Sequence, residues 1–243
     1  MAYSRGKLTK HKVLSRSREL SSVLPATKRM SKRNLWSMAN RYRSVIVKPS
    51  GGWGGQGVMQ VSLLYDDEVE IHDGKKVKVY SSREKAYKFL REKMDRTPHI
   101  VQQKITLATV DGRPFDIRVM VQRNRGSSDW RVTGKLAKIA GAGYIITNTA
   151  RSRGKVVTLP TAIRRSNVSG ASVSRLEEEI DRIALRSVRQ LRKHYSIRTV
   201  GLDMGLDNHG KPWIIEANFT PNVSLFARLK DRTMYRRILS YGR

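Results

Sequence analysis

The sequence predicts an α+β protein built largely from antiparallel sheet. Three observations carry this reading. Many short segments are rich in β-branched and aromatic residues, and turns rather than helices separate most of them. The turn Asp207-Asn208-His209-Gly210 joins two such segments as a hairpin does. One long segment keeps helical spacing instead, with Leu176, Ile180, Ile183, Ala184, Val188 and Leu191 on a single stripe.

Each element follows in order. Thr9–Leu24 reads as a helix that Pro25 ends. Ser31 is an N-cap for a second helix carrying Leu35, Met38 and Tyr42 on one face. Ser44–Lys48 is a β-branched strand stopped by Pro49 and Gly51. After a glycine run, Val58–Tyr65 is the next strand. Asp66–Asp73 reads as an acidic turn plus an edge strand, and Val77–Tyr80 as another strand. Ser82 caps a helix over 83–95, with Ala86, Phe89, Leu90 and Met94 facing inward. Strands are expected at Ile100–Thr106, Phe115–Arg123, Trp130–Ile139 and Gly143–Asn148. Ser166–Ser172 is a polar loop, and Ser174 with Glu177 forms a capping box for the long helix. Thr199–Leu206 and Pro212–Ala217 are strands, and a basic helix over about 224–239 closes the chain.

Composition narrows the function. Forty-nine Lys and Arg face 20 Asp and Glu, a formal charge of +29 over 243 residues. Such an excess calls for a polyanionic partner, nucleic acid being the default. Residues 1–43 hold twelve of the basic residues and one acid, Glu19. The absence of cysteine excludes a disulfide scaffold, a zinc–thiolate site and a thiol nucleophile. The five histidines are scattered, so they build no metal site in sequence. There is neither an apolar run long enough for a membrane helix nor a secretory leader at the basic N-terminus, so a cytoplasmic location is expected.

Two constellations carry chemistry. Val45-Ile46-Val47-Lys48-Pro49 runs into Gly51, Gly52, Gly54, Gly55 and Gly57. A strand-end lysine beside bare backbone amides is either a phosphate cradle or a glycine-rich hairpin. The Gly52-x-Gly54-x-x-Gly57 spacing is no dinucleotide fingerprint, because a strand follows it where a helix is required. Near the C-terminus, Glu216 and Asn218 lie two apart on one strand, so both point to one face. Asp203, on the hairpin partner, adds a third oxygen group. Two carboxylates and an amide in apolar surroundings suit a hard cation such as Mg²⁺; the competing reading is an exposed hairpin with incidental acids. Between these constellations, Asp116 and Arg118 share a strand face as either site residues or a surface ion pair.

Taken together, these residues resemble the ATP-grasp superfamily, and within it the YheC/YheD-like, spore-coat-associated branch. The phrases that match are Leu24-Pro25-Ala26-Thr27, Val45–Pro49 with its glycine loop, Gln102-Gln103-Lys104-Ile105, Phe115–Gln122, Trp130–Gly134, a strand to Asn148, and Asp203 with Glu216 and Asn218 thirteen and fifteen residues on. The resemblance spans about residues 10–226. It implies a single ATP-grasp unit of two α+β subdomains that clasp the nucleotide, about 28–105 as the small lid and about 106–243 as the larger metal-binding part. Residues 1–27 would be a basic helix, and the α/β domain that usually precedes the fold would be lacking.

The resemblance also implies roles. Lys48 would contact the α- and β-phosphates of ATP, with Lys10 or Lys12 as a second lysine. Gly52, Gly54, Gly55 and Gly57 would close over the phosphates. Gln102, Gln103, Lys104 and Ile105 would line the adenine pocket, with Asp116 near the ribose. Asp203, Glu216 and Asn218 would hold one or two Mg²⁺ ions, or Mn²⁺ in their place. Arg118, Lys138 and Asn148 would serve catalysis, although relatives usually carry arginine where Lys138 stands. The implied reaction is ligation of a carboxylate to an amine through an acyl-phosphate, with an acidic peptide or polymer as substrate or partner. The alternatives are a nucleotide-binding spore-coat or assembly component and a nucleic-acid-binding module. No RRM or zinc-finger signature supports the latter, and Trp36, Trp53, Trp130 and Trp213 are too dispersed to form a stacking platform.

Overall fold

The computed structural model describes residues 4–52, 56–65, 67–94, 96–142 and 154–241. Two antiparallel sheets organise them. The first takes β1 (Thr27–Arg29), β2 (Ser44–Pro49), β3 (Met59–Leu63), β4 (Val69–Asp73), β5 (Lys76–Tyr80) and β6 (His99–Gln103) in the order β1-β6-β2-β3-β4-β5. The second takes β8 (Arg113–Gln122), β9 (Arg131–Ile139), β10 (Lys155–Thr158), β11 (Thr199–Leu206) and β12 (Pro212–Asn218) in the order β10-β9-β8-β11-β12, with the short β7 (Thr109–Val110) paired to β8. The predicted acidic edge strand is β4, and it lies inside its sheet. The edge is β5, whose Lys76 and Lys78 suit an exposed position.

Helices α3 (Lys32–Tyr42) and α4 (Arg83–Lys93) cover the first sheet. Ser31 and Ser82 cap them by accepting from the amides of Asn34 and Lys85, as their serine hydroxyls predict. Leu35, Met38, Ala86 and Leu90 meet Val45, Val47, Val61, Ile71 and Val101 in one apolar cluster. The second sheet packs its apolar face on α5 (Leu159–Arg164) and α6 (Val173–Arg192). All six stripe residues of α6 are buried against Ile117, Val119, Leu202, Met204 and Ala217. The cap of α6 is Ser172, accepting from Arg175 N–H at 3.3 Å, rather than Ser174. Glu177 is drawn away from the cap by Lys135, 3.4 Å distant.

Both terminal helices break where one was expected. The first segment splits into α1 (Lys7–Leu14) and α2 (Arg18–Ser21). Ser15 Oγ donates back to the Lys12 carbonyl at 3.1 Å, and Ser17 turns extended. At the other end a single 3₁₀ turn (Phe226–Arg228) and α7 (Thr233–Ser240) are separated by Asp231. Its carboxylate accepts from both the amide and the hydroxyl of Thr233, at 2.8 and 2.6 Å. Phe226, Leu229 and Ile238 then cover Met120 and Leu136 on the second sheet's other face. Among the described residues no helix is long and apolar enough to cross a membrane. The predicted strand Gly143–Asn148 lies outside the described residues.

The close approach over β9 depends on Gly134, where an added Cβ would stand 2.8 Å from the Phe226 ring and 2.9 Å from Ile238. Both neighbours are themselves buried, so neither can move away without cost. Gly134→Ala is expected to destabilise the protein by about 1–3 kcal/mol in denaturant titration through overpacking. An unchanged midpoint would show that this cluster is loosely packed.

Candidate functional site

The register of the second sheet builds a row of charge across four strands. Asp116 on β8 pairs with Lys138 on β9, Arg118 with Asp203 on β11, and Asp203 with Glu216 on β12. Because side chains alternate, these five project to one face while Ile117, Val119, Leu202 and Ala217 face α6. Arg118 Nε donates to Asp203 Oδ1 at 3.0 Å and its Nη2 to Oδ2 at 3.1 Å, a bidentate fork. Lys138 Nζ reaches the same Oδ1 at 2.9 Å and Asp116 Oδ2 at 3.1 Å. Asn218 Nδ2 completes the set at 3.0 Å from Asp203 Oδ2.

Asp116, Arg118 and Lys138 are all buried, so the surface ion pair considered for Asp116 and Arg118 does not occur. Burial alone would raise the Asp203 pKa. Arg118 and then Lys138 outweigh it and hold the carboxyl well below the usual range. Burial likewise opposes the charge on Lys138, but Asp116 and Asp203 raise its pKa above the ordinary value.

A second group of residues gathers beside this row, in a tight cleft between the sheets that encloses only about 20 Å³. Lys7, Lys10 and His11 come from α1, Lys48 and Gln102 from the first sheet, and Glu216 from the second. Lys48 Nζ donates to Gln102 Oε1 at 2.8 Å, and Gln102 Nε2 to Thr27 Oγ1 at 3.0 Å. Lys10 donates to the Ala217 carbonyl, tying α1 to β12. Lys7 Nζ donates to the carbonyls of Gly51 and Gly52 at 2.7 and 3.0 Å and stands 3.5 Å from Glu216. Burial lowers the pKa of both Lys10 and Lys48, with Glu216 opposing the shift. Burial and then the charge of Lys48 hold His11 down to about 4.

Of the two upstream lysines singled out in the sequence, Lys10 faces the cleft, whereas Lys12 is exposed and contributes nothing to its lining. Lys7 and His11 escaped notice. The signal was their spacing, since positions 7, 10 and 11 share a face of a helix. Gly52 and Gly57 both take positive φ, at 75° and 66°, as a tight glycine turn requires. Gln103 is turned away from the cleft and accepts from Ala26 N–H at 3.3 Å, and Lys104 N–H is taken by the Ser44 carbonyl. Gly54, Gly55 and Asn148 lie outside the described residues.

As to a metal, Asp203, Glu216 and Asn218 offer hard oxygen donors on adjacent register positions, which fits Mg²⁺ chemistry. Asp203 already has Arg118, Lys138 and Asn218 on its oxygens. Among the described residues no cluster of three or more His, Asp or Glu side chains is placed to hold a metal.

A family model for YheC/D-like ATP-grasp proteins matches residues 3–243. The chain belongs to this ATP-grasp family. Among curated relatives, the endospore coat-associated protein YheD of Bacillus subtilis is 29% identical over 199 residues, which covers 78% of this chain and 42% of that protein. The endospore coat-associated protein YheC of the same organism is 22% identical over 215 residues, 86% of this chain and 58% of that one. The chain thus spans about half the length of these relatives.

Solved structures agree on the ATP-grasp fold at low identity. The C-terminal domain of K. lactis Pby1, an ATP-grasp enzyme that interacts with the decapping enzyme Dcp2, superposes with a TM-score of 0.53 at 16% identity, covering 96% of this chain and 68% of that one. D-alanine–D-alanine ligase from Bacillus anthracis gives 0.51 at 13% identity, covering 98% and 64%. L-amino acid ligase from Bacillus licheniformis gives 0.51 at 14% identity, covering 88% and 40%.

The neutral His11 makes a pH prediction. Its folded pKa of about 4 lies below the ordinary 6.5, so the unfolded chain binds the proton first. The stability that depends on a neutral His11 is complete above 6.5 and declines as the pH falls towards 4. His11→Gln should flatten the melting temperature over that window. A wild-type His11 ring titrating near 6.5 by NMR would contradict the burial argument.

Proposed function

We propose that the chain is an ATP- and Mg²⁺-dependent ligase that joins a carboxylate to an amine through an acyl-phosphate. The observation that carries this reading is the grouping of Lys7, Lys10 and Lys48 around Glu216, beside the Asp203–Arg118–Lys138 row. Three ammonium groups against one carboxylate leave the cleft short of negative charge. Two of them, Lys10 and Lys48, are largely removed from water. A triphosphate supplies the missing charge and repays the desolvation of those lysines.

Each residue then has a task. Lys48 and Lys10 bind phosphate oxygens, with Gln102 orienting Lys48. Gly52, Gly54, Gly55 and Gly57 close over the phosphates, and Lys104 and Ile105 border the adenine, with Asp116 near the ribose; Gln103, turned away from the cleft, takes no part. A carboxylate oxygen of the substrate attacks the γ-phosphorus, and ADP leaves. An amine nitrogen then attacks the acyl carbon, the C–N bond forms, and phosphate departs as the amine loses a proton. Arg118, Lys138 and Asn148 steady the transferring phosphoryl group and the acyl-phosphate; no side-chain nucleophile is needed. Asp203, Glu216 and Asn218 would hold Mg²⁺, which neutralises phosphate charge when bound. The spore-coat association of the two Bacillus relatives suggests a spore-associated setting, and the charge of the chain suits an acidic carboxylate substrate.

Two measurements test this. Mg·ATP at 100 times its Kd should stabilise the protein by about 2.7 kcal/mol. ADP release should then respond to a panel of carboxylates and amines, and Glu216→Gln should lower it by at least about 100-fold with the fold intact. A melt that shifts with duplex DNA but not with Mg·ATP would overturn the ligase reading in favour of a binding module.

A further inference from the structure

A second concentration of positive charge lies apart from the cleft and shares no lining residue with it. The link between α1 and α2 contributes Arg16, Ser17 and Arg18, and the outer face of α6 contributes Arg186, Arg189 and Gln190, with Lys193 just beyond its end. Together they line a groove of about 300 Å³. Its floor is firmly set. Gln190 Nε2 donates to the carbonyl of Val13 at 2.9 Å, and the buried stripe of α6 fixes that helix on the sheet. Arg16 donates from Nη1 to His194 Nε2 at 3.1 Å, which orients its guanidinium. Glu19, next to Arg18 in the chain, is engaged by Arg182 and by Arg186 Nε, the latter at 3.1 Å.

We propose that this groove docks an acidic polypeptide segment, a run of aspartates and glutamates on a partner chain. Among the described residues five cations line it and no acid does, Glu19 being paired with one of the five, Arg186, so the complement is several negative charges. Four of the five are arginines, whose planar forks suit carboxylates. Arg186, Arg189 and Lys193 follow one another along α6 at about 4.5 and 6 Å of rise. Alternate side chains of an extended peptide repeat at about 6.6–7 Å, so successive acids on one side of such a strand can meet successive cations of the helix. Among the described residues no aromatic ring lines the groove, so these residues offer no platform for unstacked bases and read charge. The site is independent of the ligase reading, because a docking segment needs neither ATP nor the cleft.

The test uses the full chain and a fluorescent twelve-residue peptide of alternating Asp and Glu with Gly-Ser, followed by anisotropy at low and at physiological salt. Binding is expected, weakening as salt rises. Arg189→Glu/Lys193→Glu should reduce affinity by at least about tenfold, through repulsion as well as lost attraction. Arg189→Gln/Lys193→Gln, which adds no repulsion beside Glu19, should also reduce it, and covers the case in which the reversed pair does not fold. Lys88→Glu/Arg91→Glu on α4 makes the same change in net charge far from the groove and should leave affinity within about twofold. An equal loss in the α4 pair, or no binding by the wild type, overturns the proposal. So does a duplex DNA that binds more tightly than the peptide and loses affinity with the same groove substitutions, since the partner would then be nucleic acid.

Discussion

Asp203 is a carboxylate placed among apolar strands, and a charge there survives only if it is fully compensated. Arg118, Lys138 and Asn218 provide that compensation from three different strands. The consequence reaches beyond the site. A slip of one residue in β8, β9, β11 or β12 would turn the row towards α6 and leave buried charges among leucines and isoleucines. The pairs Asp116–Lys138 and Arg118–Asp203, with the Asn218–Asp203 hydrogen bond, therefore specify the register of β9, β8, β11 and β12, and the apolar stripe of α6 specifies the same register from the opposite face. Two independent demands agree, which is the condition for a single well-defined sheet.

The first sheet is joined to this frame through α1. Lys7 grips the carbonyls of the glycine turn, Lys10 the carbonyl of Ala217, and the backbone amide of Lys7 bonds to the carbonyl of Ser50 at 2.8 Å. One helix thus touches the loop of one sheet and the last strand of the other. The lysines that hold it there are the same ones that give the cleft its positive charge, so the contact between the sheets and the ligand chemistry share residues. On the proposed function, an arriving triphosphate would compete for those ammonium groups with the carbonyls and Glu216.

Much of this was legible in the sequence, and for identifiable reasons. Lys48, Asp203, Glu216 and Asn218 sit on strands whose alternation fixes which way they point, so local pattern was enough. The caps Ser31 and Ser82 are read by their own backbone and needed no tertiary context. What was not legible depended on partners far away in the chain. The burial of Asp116 and Arg118 follows from β11 and β9 lying on either side of β8, an arrangement no local pattern contains. The choice between Lys10 and Lys12 turns on which face of α1 meets β12. The breaks at Ser15–Ser17 and Asp231 come from side chains that bond their own backbone, signals that are present locally but compete with helical spacing and win. The long helix starts at Val173, so Ser172 caps it in place of Ser174, and Glu177 lies beside Lys135 on β9.

The net charge of +29 acquires structure when it is divided by location. In the buried row, Asp116 and Asp203 balance Arg118 and Lys138, so it contributes no excess. The cleft holds three lysines against Glu216, the excess on which the proposed binding of a nucleotide rests. The groove on α6 holds five cations beside Glu19, an excess no nucleotide in the cleft can reach, since the two sites share no residue. Charges spread evenly over a surface would serve solubility alone. Here eight of the 49 Lys and Arg are gathered in two places, with Glu216 in the one and Glu19 paired to Arg186 at the other. Like charges gathered this way repel one another in the free protein. Each gathering would be relieved by an anion, the small one proposed for the cleft and the extended one proposed for the helix.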